Sequence, residues 1–223
     1  MGTPCRAGLI LSEISLILCP KKGNWLADGF LALPYAKEVA EAGLVDAGLA
    51  RAGALVSIIG VREKPARIDE RRFAYGVLRV SFDDIPVPEW VAADGSRWFG
   101  PYEEQVRDVL AFGRHVRAAG CDHVAVHCLH GRSRSPAVAV AMMADALGPG
   151  REAEAVSRLM TRSARPGVPS DPDSVRRILC NPGVIRLADG IMGRGGALER
   201  AVAAGVPLYA AWAGFWQAQC LVP

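Results

Sequence analysis

Residues 124–140 read VAVHCLHGRSRSPAVAV. The opening VAVH, with His123 before it, is short, apolar and β-branched, which is the pattern of a buried strand over 123–127. The closing run starts with Ser135 and Pro136 and continues in alanine and valine, which predicts a helix over 135–147. Between them lies a tight loop at a strand C-terminus and a helix N-terminus, where open α/β sheets bind ligands. Its N–H groups can converge on an anion, and the helix adds about half a positive charge at its start. Gly131 lets the backbone turn where a side chain would clash.

Working outward, residues 14–19 (ISLILC) read as a buried strand ended by Pro20. Residues 35–52 have helical spacing through Val39, Leu44 and Leu49. Further strands are expected at 54–61 and 75–82, then a loop over 86–101 rich in turn formers and aromatics. Residues 101–120 read as a helix with Pro101 in its first turn and Gly120 past its end. Later helices are expected at 151–163, 171–179, 183–193 and 195–204. Strands and helices alternate early and helices cluster late. That order predicts an α/β fold: a central, mainly parallel sheet of four to five strands, helices on both faces, and a helical C-terminal part. A single domain is expected over 1–223, its core at 10–204, with an apolar tail at 205–223 that docks on the core or mediates self-association.

The chain has 223 residues, 22% of them charged, and a net charge of +3. So small a net charge gives no case for nucleic acid or membrane binding, and any electrostatic argument is local. Six cysteines stand at 5, 19, 121, 128, 180 and 220 with no CxxC pair. The spacing fits neither a zinc site nor a secreted disulfide framework, so the thiols are read as reduced and the chain as cytoplasmic. The stretch LILSEISLILCPKK resembles a signal core, but Glu13 interrupts it and Leu18 is too large for a cleavage site before Cys19. No run reaches the length of a membrane span.

Cys128 stands at the mouth of the anion cradle, where loop amides, His127 and Arg134 would favour the nucleophilic thiolate. Arg134 can fold back over the loop and bind two phosphate oxygens as a fork. Ser135 can donate a hydrogen bond to the sulfur when sulfur becomes the leaving group. The set suits phosphoryl transfer through a cysteinyl-phosphate intermediate. An acid must then protonate the departing oxygen, and the candidates are Asp83 and Asp84 in SFDDIPVP.

HCLHGRSRS matches HCxxGxxR[ST], and by it the chain resembles the cysteine-dependent protein tyrosine and dual-specificity phosphatases, compact bacterial-type members among them, over about residues 10–200. SFDDI looks like their acid loop, and RSARPGVPSDPDSVRRIL resembles their arginine- and proline-containing segment. The resemblance implies that Cys128 is the nucleophile, Arg134 the phosphate clamp and Ser135 the aid to intermediate breakdown. It implies that His127 tunes the thiolate and that Leu129, His130, Gly131, Arg132, Ser133 and Arg134 bind the substrate phosphate. Asp84 is its acid, with Asp83 as the alternative. The asparagine that relatives carry after the arginine–proline segment reads here as PSDP. The implied reaction is hydrolysis of a phosphorylated protein, phosphotyrosine favoured, with no metal and no cofactor.

Other residues carry competing readings. His130 and Arg132 either face solvent or favour substrates with several phosphates, such as phosphoinositides. Trp90, Trp98, Phe99 and Tyr102 either cover the core or wall a cleft for a phosphotyrosine ring. Cys121 is either buried or a disulfide partner for an oxidised Cys128. Arg162, Arg165, Arg176 and Arg177 either form a solvated face or guide anions, while His115 and His123 read as structural. The rival functions are a phosphoprotein-binding module without turnover, and RNA 5′-triphosphate removal, arsenate reduction or sulfur transfer on the same loop type.

Overall fold

The computed structural model describes residues 30–32, 52–163 and 178–220. Its main sheet has four parallel strands: β1 (Phe30–Ala32), β2 (Ala54–Ile59), β3 (Val77–Ser81) and β6 (Val124–His127), in spatial order β1-β6-β2-β3. A separate antiparallel pair joins β4 (Glu89–Val91) to β5 (Arg97–Phe99). Among the described residues six α-helices occur in chain order: α1 (Glu103–Ala118), α2 (Arg134–Leu147), α3 (Glu152–Ser163), α4 (Pro182–Ile191), α5 (Ala197–Gly205) and α6 (Tyr209–Cys220).

The central strands are apolar on both faces because both faces are covered. In β2 and β6, Val56 pairs with Val126 and Ala54 with Val124, and these side chains join the large core built with α1, α2, α3 and α4. On the opposite face, Leu55, Val77 and Ala125 pack with Phe73, Ala52 and Ile68. Helix α2 runs through the middle of the molecule, and every residue from Arg134 to Ala144 is buried. Its small Ala and Val side chains allow that close approach from all sides. Register sets the C-terminal ends of the inner strands side by side: Ser57 lies opposite His127, and Ile59 opposite Ser81. The loops that follow β2, β3 and β6 therefore open on one edge of the sheet.

The strands expected at 54–61 and 75–82 and the strand and helix around 128 lie where the sequence placed them, within one to two residues at most ends. The strand at 14–19, most of the helix at 35–52, and the expected helix at 171–179 up to residue 177 lie outside the described residues. Ile178 and Leu179 are not helical. Three differences stand out. The edge strand β1 has no counterpart in the sequence reading; three residues are too few to show a period. The expected loop at 86–101 contains the β4–β5 hairpin, whose turn closes through Ala92 N–H to Ser96 O, with Gly95 at φ +82°. Helix α1 starts later than expected: Tyr102 is its N-cap, so Pro101 precedes the helix rather than opening it. No helix among the described residues is long and apolar enough to cross a membrane.

Candidate active site

Cys128 is the first residue past β6 and is 3% exposed. Its Sγ accepts the Gly131 N–H at 3.2 Å and lies 3.3 Å from Ser135 Oγ. Gly131 has φ +70°, the left-handed conformation that brings its amide back onto the sulfur. Ser133 is the N-cap of α2, yet its hydroxyl does not cap the helix. It donates instead to Asp84 Oδ1 at 2.7 Å. The loop is braced from outside as well: Leu179 N–H donates to Arg132 O and Asn181 N–H to Ser133 O. Leu129 is half-buried, and His130 and Arg132 are exposed. His127, the last residue of β6, is buried.

Arg134 opens α2 and is buried. Its Nη1 donates to Phe82 O and its Nη2 to Glu63 Oε1, both at 3.0 Å. These bonds fix the guanidinium plane, while Nε–H is buried with no hydrogen-bond partner among the described residues. Burial alone would pull this group's pKa down. The negative charges of Cys128, Asp84 and Glu63 outweigh that and raise it. A fixed, charged guanidinium that keeps an unspent donor and lies within electrostatic reach of Cys128 is suited to a phosphate or similar oxyanion.

The two aspartates of the 83–84 pair have different partners. Asp83 is buried, and each of its carboxylate oxygens accepts a backbone amide: Val61 N–H on Oδ1 at 3.0 Å and Phe99 N–H on Oδ2 at 2.9 Å. Asp84 is half-buried and faces the Cys128 loop. Ser133 Oγ and Asn181 Nδ2 both donate to its Oδ1, at 2.7 and 2.9 Å. Its Oδ2 has no donor among the described residues.

Sequence reading missed Asn181 and Glu63. Asn181 is wholly buried and spends its amide on both sides. Its Oδ1 caps α4 by accepting from Gly183 and Val184, and its Nδ2 holds Asp84 Oδ1 and Ile85 O. Its signal was present: an asparagine directly before a proline that opens a helical pattern. The segment PSDP, where an asparagine was sought, lies outside the described residues. Glu63 sits in a turn after β2 and carries no sequence signal.

Cys121 and Cys128 are not brought together. Cys121 precedes β6 and Cys128 follows it, and all four described cysteines are free. Cys121 donates to His123 O at 3.3 Å, and burial pushes its thiol up to about 11. The aromatics have separate partners. Trp90 and Trp98 are cross-strand neighbours in the hairpin; Trp90 packs edge-on to Trp216 at 5.9 Å, and the Arg62 guanidinium covers Trp98 at 5.8 Å. Phe99 is tied to Asp83, and Tyr102 is exposed at the start of α1. His115 is exposed on α1, and His123 uses its carbonyl to hold Gly53 N–H. Arg165, Arg176 and Arg177 lie outside the described residues. Among those residues no cluster of three or more His, Cys, Asp and Glu could hold a metal ion.

No family model matches the chain, and no curated protein matches it. Solved structures similar to it include the following three. Human DUSP28 shares 20% identity, covers 77% of this chain and 96% of its own, and gives a TM-score of 0.49. Tk-PTP in its active form shares 21% identity over 74% of this chain and 90% of its own, with a TM-score of 0.42. The Yvh1 phosphatase domain from Chaetomium thermophilum shares 19% identity over 66% of this chain and 82% of its own, with a TM-score of 0.36.

Proposed function

We propose that the protein hydrolyses phosphate monoesters through a phosphoenzyme on Cys128. The observation that carries this reading is a sulfur that takes the Gly131 amide and lies against the Ser135 hydroxyl, with the fixed, partly unsatisfied guanidinium of Arg134 near enough to feel its charge. In the first step the Cys128 thiolate attacks phosphorus and the ester P–O bond breaks. Arg134 and the loop amides hold the non-bridging oxygens as their charge shifts. Asp84 gives the departing oxygen its proton. Both donors on this carboxyl use Oδ1, which leaves Oδ2 as the oxygen free to deliver a proton. In the second step Asp84, now ionised, takes a proton from water, the water oxygen bonds to phosphorus, and the S–P bond breaks. Ser135 Oγ then donates to the sulfur that leaves as thiolate. No step calls for a metal or cofactor.

The substrate we assign is a phosphorylated protein, with phosphotyrosine favoured, since the nucleophile is buried and the acid half-buried. The exposed His130 and Arg132 in the loop favour polyphosphorylated inositol headgroups as a second reading. Relative rates on a phosphotyrosine peptide and an inositol phosphate panel separate the two. The function itself is tested with Cys128→Ser, which is expected to lose all turnover and retain vanadate or phosphate binding. Asp84→Ala is expected to slow a poor leaving group at least ~100-fold and an activated aryl phosphate far less. Turnover by Cys128→Ser, or a wild-type protein that binds an aryl phosphate without hydrolysing it, would overturn the assignment in favour of other chemistry or a binding module.

A further inference from the structure

We infer that Asp83 is the positioning residue of the acid loop: it carries no proton in the reaction but sets the place from which Asp84 works. The inference rests on the proposed role of Asp84. Asp83 is buried and lies at the junction of three segments. Its Oδ1 holds Val61 N–H in the turn after β2. Its Oδ2 holds Phe99 N–H, and its own N–H donates to Phe99 O at 2.6 Å, so it grips the end of the hairpin from both sides. Both carboxylate oxygens are thus committed as acceptors to the backbone.

The packing around it has the same purpose. A Cβ at Gly60 would stand 2.9 Å from Asp83 Oδ1 and 2.8 Å from Glu63 Oε1, so glycine lets the turn close on both carboxylates without displacing either side-chain end. A side chain at Gly100 would stand 2.1 Å from Val87 O and 2.8 Å from Ile85 O, so the hairpin end lies directly on the acid loop. With its start fixed by Asp83 and its far side pressed by the hairpin that Asp83 holds, the loop has one position for Asp84. An uncharged, non-accepting side chain at 83 would free the Val61 and Phe99 amides together and leave the hairpin held only by the backbone N–H of residue 83 on Phe99 O.

The test uses two phosphate monoesters with the full chain: phenyl phosphate, whose leaving group needs an acid, and a fluorinated umbelliferyl phosphate, whose leaving group does not. Asp83→Ala is expected to lose at least ~10-fold more rate on phenyl phosphate than on the activated ester, as a displaced acid would. The Asp83→Ala, Asp84→Ala double variant is expected to be no slower on phenyl phosphate than Asp84→Ala alone. Asp83→Asn can accept from only one of the two amides, and is expected to show the same bias to a smaller degree. It decides the matter if circular dichroism shows that Asp83→Ala does not fold. Equal losses on the two esters, or losses at 83 and 84 that multiply in the double variant, would overturn the inference. A wild-type protein inactive on both esters would instead remove the phosphatase reading beneath it.

Discussion

At the scale of single residues, Arg134 shows how a charge is made useful. Its side chain reaches Phe82 O, 52 positions away in sequence, and Glu63, 71 positions away. Those contacts stop the guanidinium from turning and, in the proposed mechanism, its remaining N–H groups meet the phosphate. Lysine keeps the charge but has no planar fork. Arg134→Lys is therefore expected to cut kcat/KM for an aryl phosphate about 100-fold, the equivalent of roughly 2.7 kcal/mol. Steady-state kinetics with a thermal melt as control checks it, and an unchanged kcat/KM would contradict it. The residues of the Cys128 loop were legible because they are contiguous: thiol, glycine, arginine and serine stand at fixed offsets in one turn. Their supports were not. Asn181 lies 97 positions from Asp84, and no local pattern announces a contact of that range. The choice between Asp83 and Asp84 stayed open for the same reason, since adjacent aspartates differ only in what the distant chain brings to them.

At the scale of elements, the acid loop is held between two backbones that touch it without side chains. Gly100 ends the hairpin against Val87 and Ile85, and Gly183 in the first turn of α4 lies against Pro86. A methyl group at Gly183 would stand 2.5 Å from Pro86 O, inside contact distance of a carbonyl that cannot rotate away. Gly183→Ala is expected to cost about 1–3 kcal/mol of stability by overpacking. It should also slow a poor leaving group more than an activated one, because α4 and the acid loop would part. Denaturant melts and the paired substrates measure both effects. The parallel strands β2 and β6 could be read from composition, since strands covered on both faces are continuously apolar, and β3 from the alternation of Val77, Arg79 and Ser81 with Leu78, Val80 and Phe82. The hairpin could not: its strands have three residues each, and its turn formers outweigh them in any window. The edge strand β1 failed for the same reason of length.

At the scale of the whole molecule, three buried weak acids tie stability to pH. Burial raises the thiols of Cys121 and Cys180 above the ordinary 9.0, and burial with the nearby Glu199 raises the Tyr209 hydroxyl. Above pH 9 the unfolded chain releases thiol protons that the folded chain keeps, so the unfolded state binds fewer protons and stability falls as pH rises. For Cys121 the loss runs from pH 9.0 to about 11. Denaturant midpoints should therefore decline through that window, and Cys121→Ala should make the decline shallower; an unchanged slope would contradict it. Helix α6 adds a second long-range tie. Tyr209 anchors it by donating to Glu199 Oε1 at 3.0 Å, and Trp216 reaches back to Trp90 of the hairpin that borders the acid loop. The sequence showed the tail to be apolar; the partner of its aromatics became visible only once the hairpin existed to receive them.

The most direct measurement is rapid acid quench of wild-type and Ser135→Ala protein during turnover of an aryl phosphate, followed by mass analysis of the peptide containing Cys128. If Cys128 is the nucleophile, that peptide carries one phosphate during turnover, and more of it accumulates in Ser135→Ala because the sulfur leaves without its hydrogen-bond donor. Steady turnover with no phosphate on Cys128 in either protein would contradict the mechanism at its centre.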